Sequence, residues 1–178
     1  LLPFAAWIVF RKMSRFLLLS ANQRMGFWDF LFGKQLRLED EEFGSLLYFD
    51  CKNPESNYFE ATRLFTPTGT GIELLITGKP PGPSTTQRAF YRQIEAQYFS
   101  LLPAIAELIT AEIRNWQPDF ELRDFAREFY PVHILLPASV PDSNKIEWEI
   151  AFEAMHDKNH TFTVTLQGFL PSRVHVDG

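Results

Sequence analysis

The residues best suited to chemistry in this chain are His156, Asp157, Asn159 and His160, gathered in the run AMHDKNHTF at 154–162. Two imidazoles and a carboxylate at that spacing suit a three-ligand metal centre with an open position, and the reaction such a centre serves is hydrolysis by a metal-activated water. His133 and His175 are further imidazoles, both on predicted strands. The spacing lacks the specificity of a helical HExxH, in which one helix face fixes two ligands. Here the flanking residues alternate as strands do, and Asp157, Lys158 and Asn159 are the types a short hairpin loop demands. The turn explains the run without a metal, so no cofactor is expected and the small metal-dependent hydrolase is the alternative reading.

A second set of chemical groups is Glu147, Glu149 and Glu153 in KIEWEIAFEAM, all on one side of a period-two pattern whose other side is Ile146, Trp148, Ile150, Phe152 and Ala154. Paired carboxylates can do acid/base work, but on the outer face of a sheet they read as a solvated acidic surface suited to a basic protein partner. GTGIEL at 69–74 begins like a dinucleotide fingerprint, yet it lacks the third glycine and leads into a strand. There is no P-loop, GxSxG elbow or CxxC. With one cysteine, Cys51, the chain forms no internal disulfide and no thiolate zinc site, and the expected compartment is the cytoplasm. The sequon Asn159-His160-Thr161 matters only in a secretory setting, which this cysteine usage does not suggest.

Charge narrows the partners. Setting aside the four basic residues Arg11, Lys12, Arg15 and Arg24 takes the net charge from −5 to −9. The remaining basic residues are scattered, and a phosphate backbone needs a concentrated cationic face, so nucleic acid is not expected. Residues 1–24 read as a non-native extension or disordered tail ahead of a start at Met25. Their two apolar runs fall short of the roughly 20 residues that span a bilayer. The segment GFWDFLFGK offers Phe27, Trp28, Phe30 and Leu31 to a membrane interface, but it lacks the basic polar face of interfacial helices and reads as docking on the domain's own core.

The elements that must position these groups follow from periodicity. SLLYFD at 45–50, NYFEATRLFTP at 57–67 and GIELLITG at 71–78 predict three strands joined by hairpins. KPPGPSTTQ breaks the pattern and supplies a helix cap. The stripe Phe90, Ile94, Tyr98, Leu101, Ile105, Leu108, Ile109, Ile113 and Trp116 then predicts one long helix, kinked near Pro103 or split there in two. A short helical turn around Leu122, Phe125 and Phe129 leads to a strand at Val132, Ile134 and Leu136, and KIEWEIAFEAM, TFTVTL and SRVHVDG add further strands. The expectation is one α+β domain at 25–178: an antiparallel sheet of about six strands, a β-meander first, with the helix packed on one face.

MGFWDFLFGK, IEWEIAFEAMHDKNHTFTV and the closing VHVDG together resemble an uncharacterised bacterial family of small cytoplasmic domains, and the likeness covers about residues 25–178. The resemblance implies a start at Met25 and a shared fold, and it carries no activity or catalytic residues. The functional expectation is a non-enzymatic protein-interaction module with an acidic surface, immunity-like or regulatory.

Overall fold

Period-two alternation controls most of this chain, and it yields eight strands. The computed structural model describes residues 36–138 and 145–178. The expected extension at 1–24, the start at Met25 and the aromatic run at 27–31 lie outside the described residues. The order is β1 (Arg37–Asp40), β2 (Gly44–Phe49), β3 (Tyr58–Phe65), β4 (Thr70–Thr77), α1 (Thr85–Ile113), α2 (Phe125–Glu128), β5 (Phe129–Leu136), β6 (Glu147–Ala154), β7 (Thr161–Gln167) and β8 (Leu170–Asp177). All eight strands lie in one sheet, in chain order from β1 to β8.

The α+β reading holds, with two corrections. The sheet has eight strands where about six were expected. Arg37–Asp40 was missed because its four residues, Arg-Leu-Glu-Asp, show no apolar alternation and form a strand only by pairing with Leu47 to Gly44. The sheet is also not wholly antiparallel, since β4 and β5 run parallel, with Glu73 opposite His133. A hairpin reverses the chain, whereas a crossover through a long helix brings it back to the same end of the sheet, so the strands on either side of α1 run the same way.

One continuous α1 runs through Pro103. Pro103 and Phe99, whose carbonyl loses its donor to the proline, both lie on the exposed side, where water can take that place. Ser84 caps the helix in a capping box, its Oγ accepting from Gln87 N at 3.1 Å and Gln87 Oε1 accepting from Ser84 N at 2.9 Å. Buried Gln87 also donates through Nε2 to the carbonyls of Thr77 and Pro137, each at 2.8 Å, and so ties the helix start to the ends of both parallel strands.

The inner face of the sheet packs on α1. Phe59, Phe65, Ile72, Leu74, Ile134, Trp148, Ile150, Phe162 and Val164 form the core with Phe90, Tyr91, Ile94, Tyr98 and Ile105. Trp148 is met edge-on by Phe90 and Phe169 and donates its indole N–H to Gly168 O at 2.6 Å. Gly168 turns the β7–β8 hairpin at φ 60°, a conformation that favours glycine. Arg88 on Asp40 at 2.5 Å and Arg92 on Glu42 at 2.6 Å tie the β1–β2 corner to the helix. Burial alone would raise the Asp40 carboxyl, but Arg88 and the N–H groups of Phe43 and Glu42 outweigh it and hold the group below its ordinary value. Among the described residues no helix is long and apolar enough to cross a membrane.

Candidate functional site

The polar chemistry collects on the outer face, opposite α1. Alternation sends every second residue of each strand there, and the register aligns them into rows. One row reads Thr62, Glu73, His133, Ala151, Thr163 and His175 from β3 to β8. The next reads Glu60, Leu75, Leu135, Glu149, Thr165 and Arg173. A third places Tyr130, Glu153, Thr161 and Asp177 side by side. Glu147 extends the same face at the far end of β6. Carboxylates from four strands thus share one face, whose central positions His133, Ala151, Thr163 and Thr165 are buried.

At the β3–β4 end Glu60 and Glu73 are joined by a side-chain hydrogen bond, and burial followed by the Glu73 charge pushes the Glu60 carboxyl up to about 7. Two carboxyl groups in contact cannot both ionise cheaply, so the pair holds a proton near neutrality. Tyr58, stacked on Phe49 at 4.8 Å, has its hydroxyl pushed up to about 12 by burial and then by the charge of Glu60. Fully buried His133 lies beside Glu73 in the row.

Glu147, Glu149 and Glu153 do share the outer face, but the expected solvated acidic surface needs correcting. Glu147 is exposed, with Arg173 3.8 Å away. Glu149 is half-buried; burial raises its carboxyl above the ordinary value, against the hydrogen bond from Thr165 and the charge of Arg173. Glu153 is only 6% exposed and accepts from Tyr130 Oη at 2.8 Å. Tyr130 and Thr161 flank Glu153 across the ladder, which alternation within one strand does not reveal.

The 156–160 loop joins β6 to β7, as a hairpin should. Asp157 Oδ1 accepts from Asn159 N at 3.0 Å, the local bond that makes aspartate a turn residue, and Oδ2 lies 2.5 Å from His160 Nδ1. Burial would raise Asp157, but the contacts from His160 and Asn159 outweigh it and lower the carboxyl below its ordinary value. The His160 ring is 6.0 Å from Trp116. His156 does not join them: it is exposed. Among the described residues no group of three or more His, Cys, Asp and Glu is placed to hold a metal. His133 and His175 lie in the same row, separated by β6 and β7.

Glu60, Glu73 and Tyr130 escaped the sequence reading. Glu73 is the one charge in GIELLITG, and Glu60 sits off the apolar phase of its strand, so each carried a weak signal. Their contact depends on strand register, which neither residue encodes alone. The chain matches no protein-family model, no curated protein and no solved structure.

Proposed function

We propose that this is a non-enzymatic binding module, immunity-like or regulatory, whose working surface is the carboxylate-bearing outer face and whose partner is a basic protein. The observation that supports this reading most is the Glu60–Glu73 pair, held together with its proton retained to about pH 7. A lysine or arginine side chain set against the pair would favour the doubly ionised form and displace that proton. Glu147 and half-buried Glu149 extend the negative field along β6, where it would chiefly speed association and select among partners.

The hydrolase reading at His156, Asp157 and His160 has no comparable support, because these residues supply an imidazole–carboxylate pair and an exposed imidazole outside it. The test is capture from lysate at low salt with the native protein and with Glu147→Lys/Glu60→Gln, followed by rebinding of the purified partner. One basic protein should bind the native chain, more weakly as salt rises, and release protons on binding below about pH 7. A partner that is not basic, or an affinity indifferent to both substitutions and to salt, would refute the reading.

A further inference from the structure

α1 and α2 both pack on the inner face of the sheet, and no described strand or α-helix lies over the outer one. An antiparallel sheet open to water on one side carries polar residues there. This face instead carries Leu47, Phe49, Tyr58, Leu75 and Leu135 across β2 to β5. Its centre is also dry, with His133 0% exposed, Ala151 1%, Thr163 3% and Leu75 8%, whereas Thr62, Arg173 and His175 at its margins are exposed. Ala151 stands between His133 and Thr163 in its row. Side chains stand roughly perpendicular to a sheet, and a methyl group is too short to shield the outer ends of longer neighbours, so their burial calls for a cover from above.

We infer that residues 26–34, GFWDFLFGK, fold back from β1 and seat on this face, over Leu75, Leu135 and Ala151. β1 begins at Arg37, in the row that runs through Leu47, Glu60, Leu75, Leu135 and Glu149. Tyr48 N donates to Leu36 O at 2.9 Å, so the chain enters the sheet beside that row. A chain turned back at Leu36 crosses the row directly. β6 lies five strand spacings from β1, about 24 Å, and residues 26–35 reach up to about 33–36 Å.

The chemistry of the segment suits the seat. Phe27, Trp28, Phe30, Leu31 and Phe32 supply apolar area to match the leucines, while Lys34 is the one basic residue, too few for the cationic face of an interfacial membrane helix. A short tether also decides between this segment and a second copy. It holds the segment at an effective concentration of order millimolar, above that of a free second chain at ordinary protein concentrations. The seat does not depend on a basic partner, since Glu147 at the end of β6 stays exposed beyond it.

Thiol labelling of the whole chain tests this, with Cys51→Ser as the background and a reporter at Ala151→Cys or, on the exposed margin of the same face, at Thr62→Cys. A charged maleimide should react with the Ala151→Cys chain at least about 100-fold more slowly than with the Thr62→Cys chain. Adding Phe27→Ser/Trp28→Ser/Leu31→Ser should speed the slow reaction at least about tenfold. Equal rates at the two positions, or a slow rate that the triple change leaves unaltered, overturns the inference. So does a slow rate that rises on dilution, as cover by a second copy would give. Nuclear Overhauser contacts read the same seat in the unsubstituted chain. The outer face of β5 to β7 holds no Phe or Trp among the described residues. Contacts from the Ala151 methyl to Phe or Trp ring protons should therefore be present, and should vanish with the triple change. Their absence from the native chain, or their persistence in the folded triple variant, counts against the seat.

Discussion

Replacing Glu60 with Gln should make the protein less sensitive to pH between about 4.5 and 7 while leaving the fold intact. The Glu60 carboxyl rises from 4.5 to about 7 through burial and the neighbouring Glu73. In that window the native state holds a proton that the unfolded chain has lost, so stability falls as pH rises and levels off above about 7. The full displacement corresponds to at most about 3 kcal/mol. Glu60 is only half-buried, and solvent screening reduces this to about 1–2 kcal/mol. Glutamine keeps the shape, carries no charge and can still hydrogen-bond Glu73. Urea unfolding of both proteins at several pH values from about 4.5 to 8.5 gives the difference curve directly. Glu60→Gln should match the native chain at the acid end and exceed it by about 1–2 kcal/mol at the alkaline end. A difference that stays constant with pH would refute the shared proton and remove the main support for a cation-seeking face.

Gln87→Ala should destabilise by about 2–3 kcal/mol in chemical denaturation, because it leaves the carbonyls of Thr77 and Pro137 without this donor, whereas Ser84→Ala, which loses mainly the helix cap, should cost about 1 kcal/mol. The double change His156→Ala/His160→Ala should lower stability by less than about 1 kcal/mol, since the pair it removes is partly exposed. Elemental analysis of protein purified without chelator should find no stoichiometric metal in either form; metal that vanishes with the double change would reverse the turn reading of the loop.

Where local chemistry decided an element, it could be read from sequence. Ser84 and Gln87 stand three apart at the head of a 3.6-period stripe, and the helix begins there. Trp148, Ile150, Phe152 and Ala154 alternate with Glu149, Ala151 and Glu153, and those four lie on the strand's inner face. Asp157 and Asn159 announce a turn through a side-chain bond two residues long. β1 was not legible, because Arg37–Asp40 has no pattern of its own and owes its extended form to β2. The exposure of Glu153 was misread for a related reason: alternation tells which face a residue takes but not whether that face is open, and Tyr130, 23 residues earlier, lies opposite it.

The sequence by itself determined the periods, the turns, the helix with its cap and the excess of carboxylates, all of which are short-range properties of the backbone and its solvent. Only the tertiary structure decided which carboxylates meet. Glu60 and Glu73 lie on adjacent strands joined by a turn, and their contact depends on the diagonal register of β3 against β4. His133 comes opposite Glu73 in the register only because α1 returns the chain parallel to β4. A one-residue slip in either pairing would send one partner to the opposite face. That register is held by the whole buried core, from Phe59 to Trp148, and no stretch of the sequence specifies it alone.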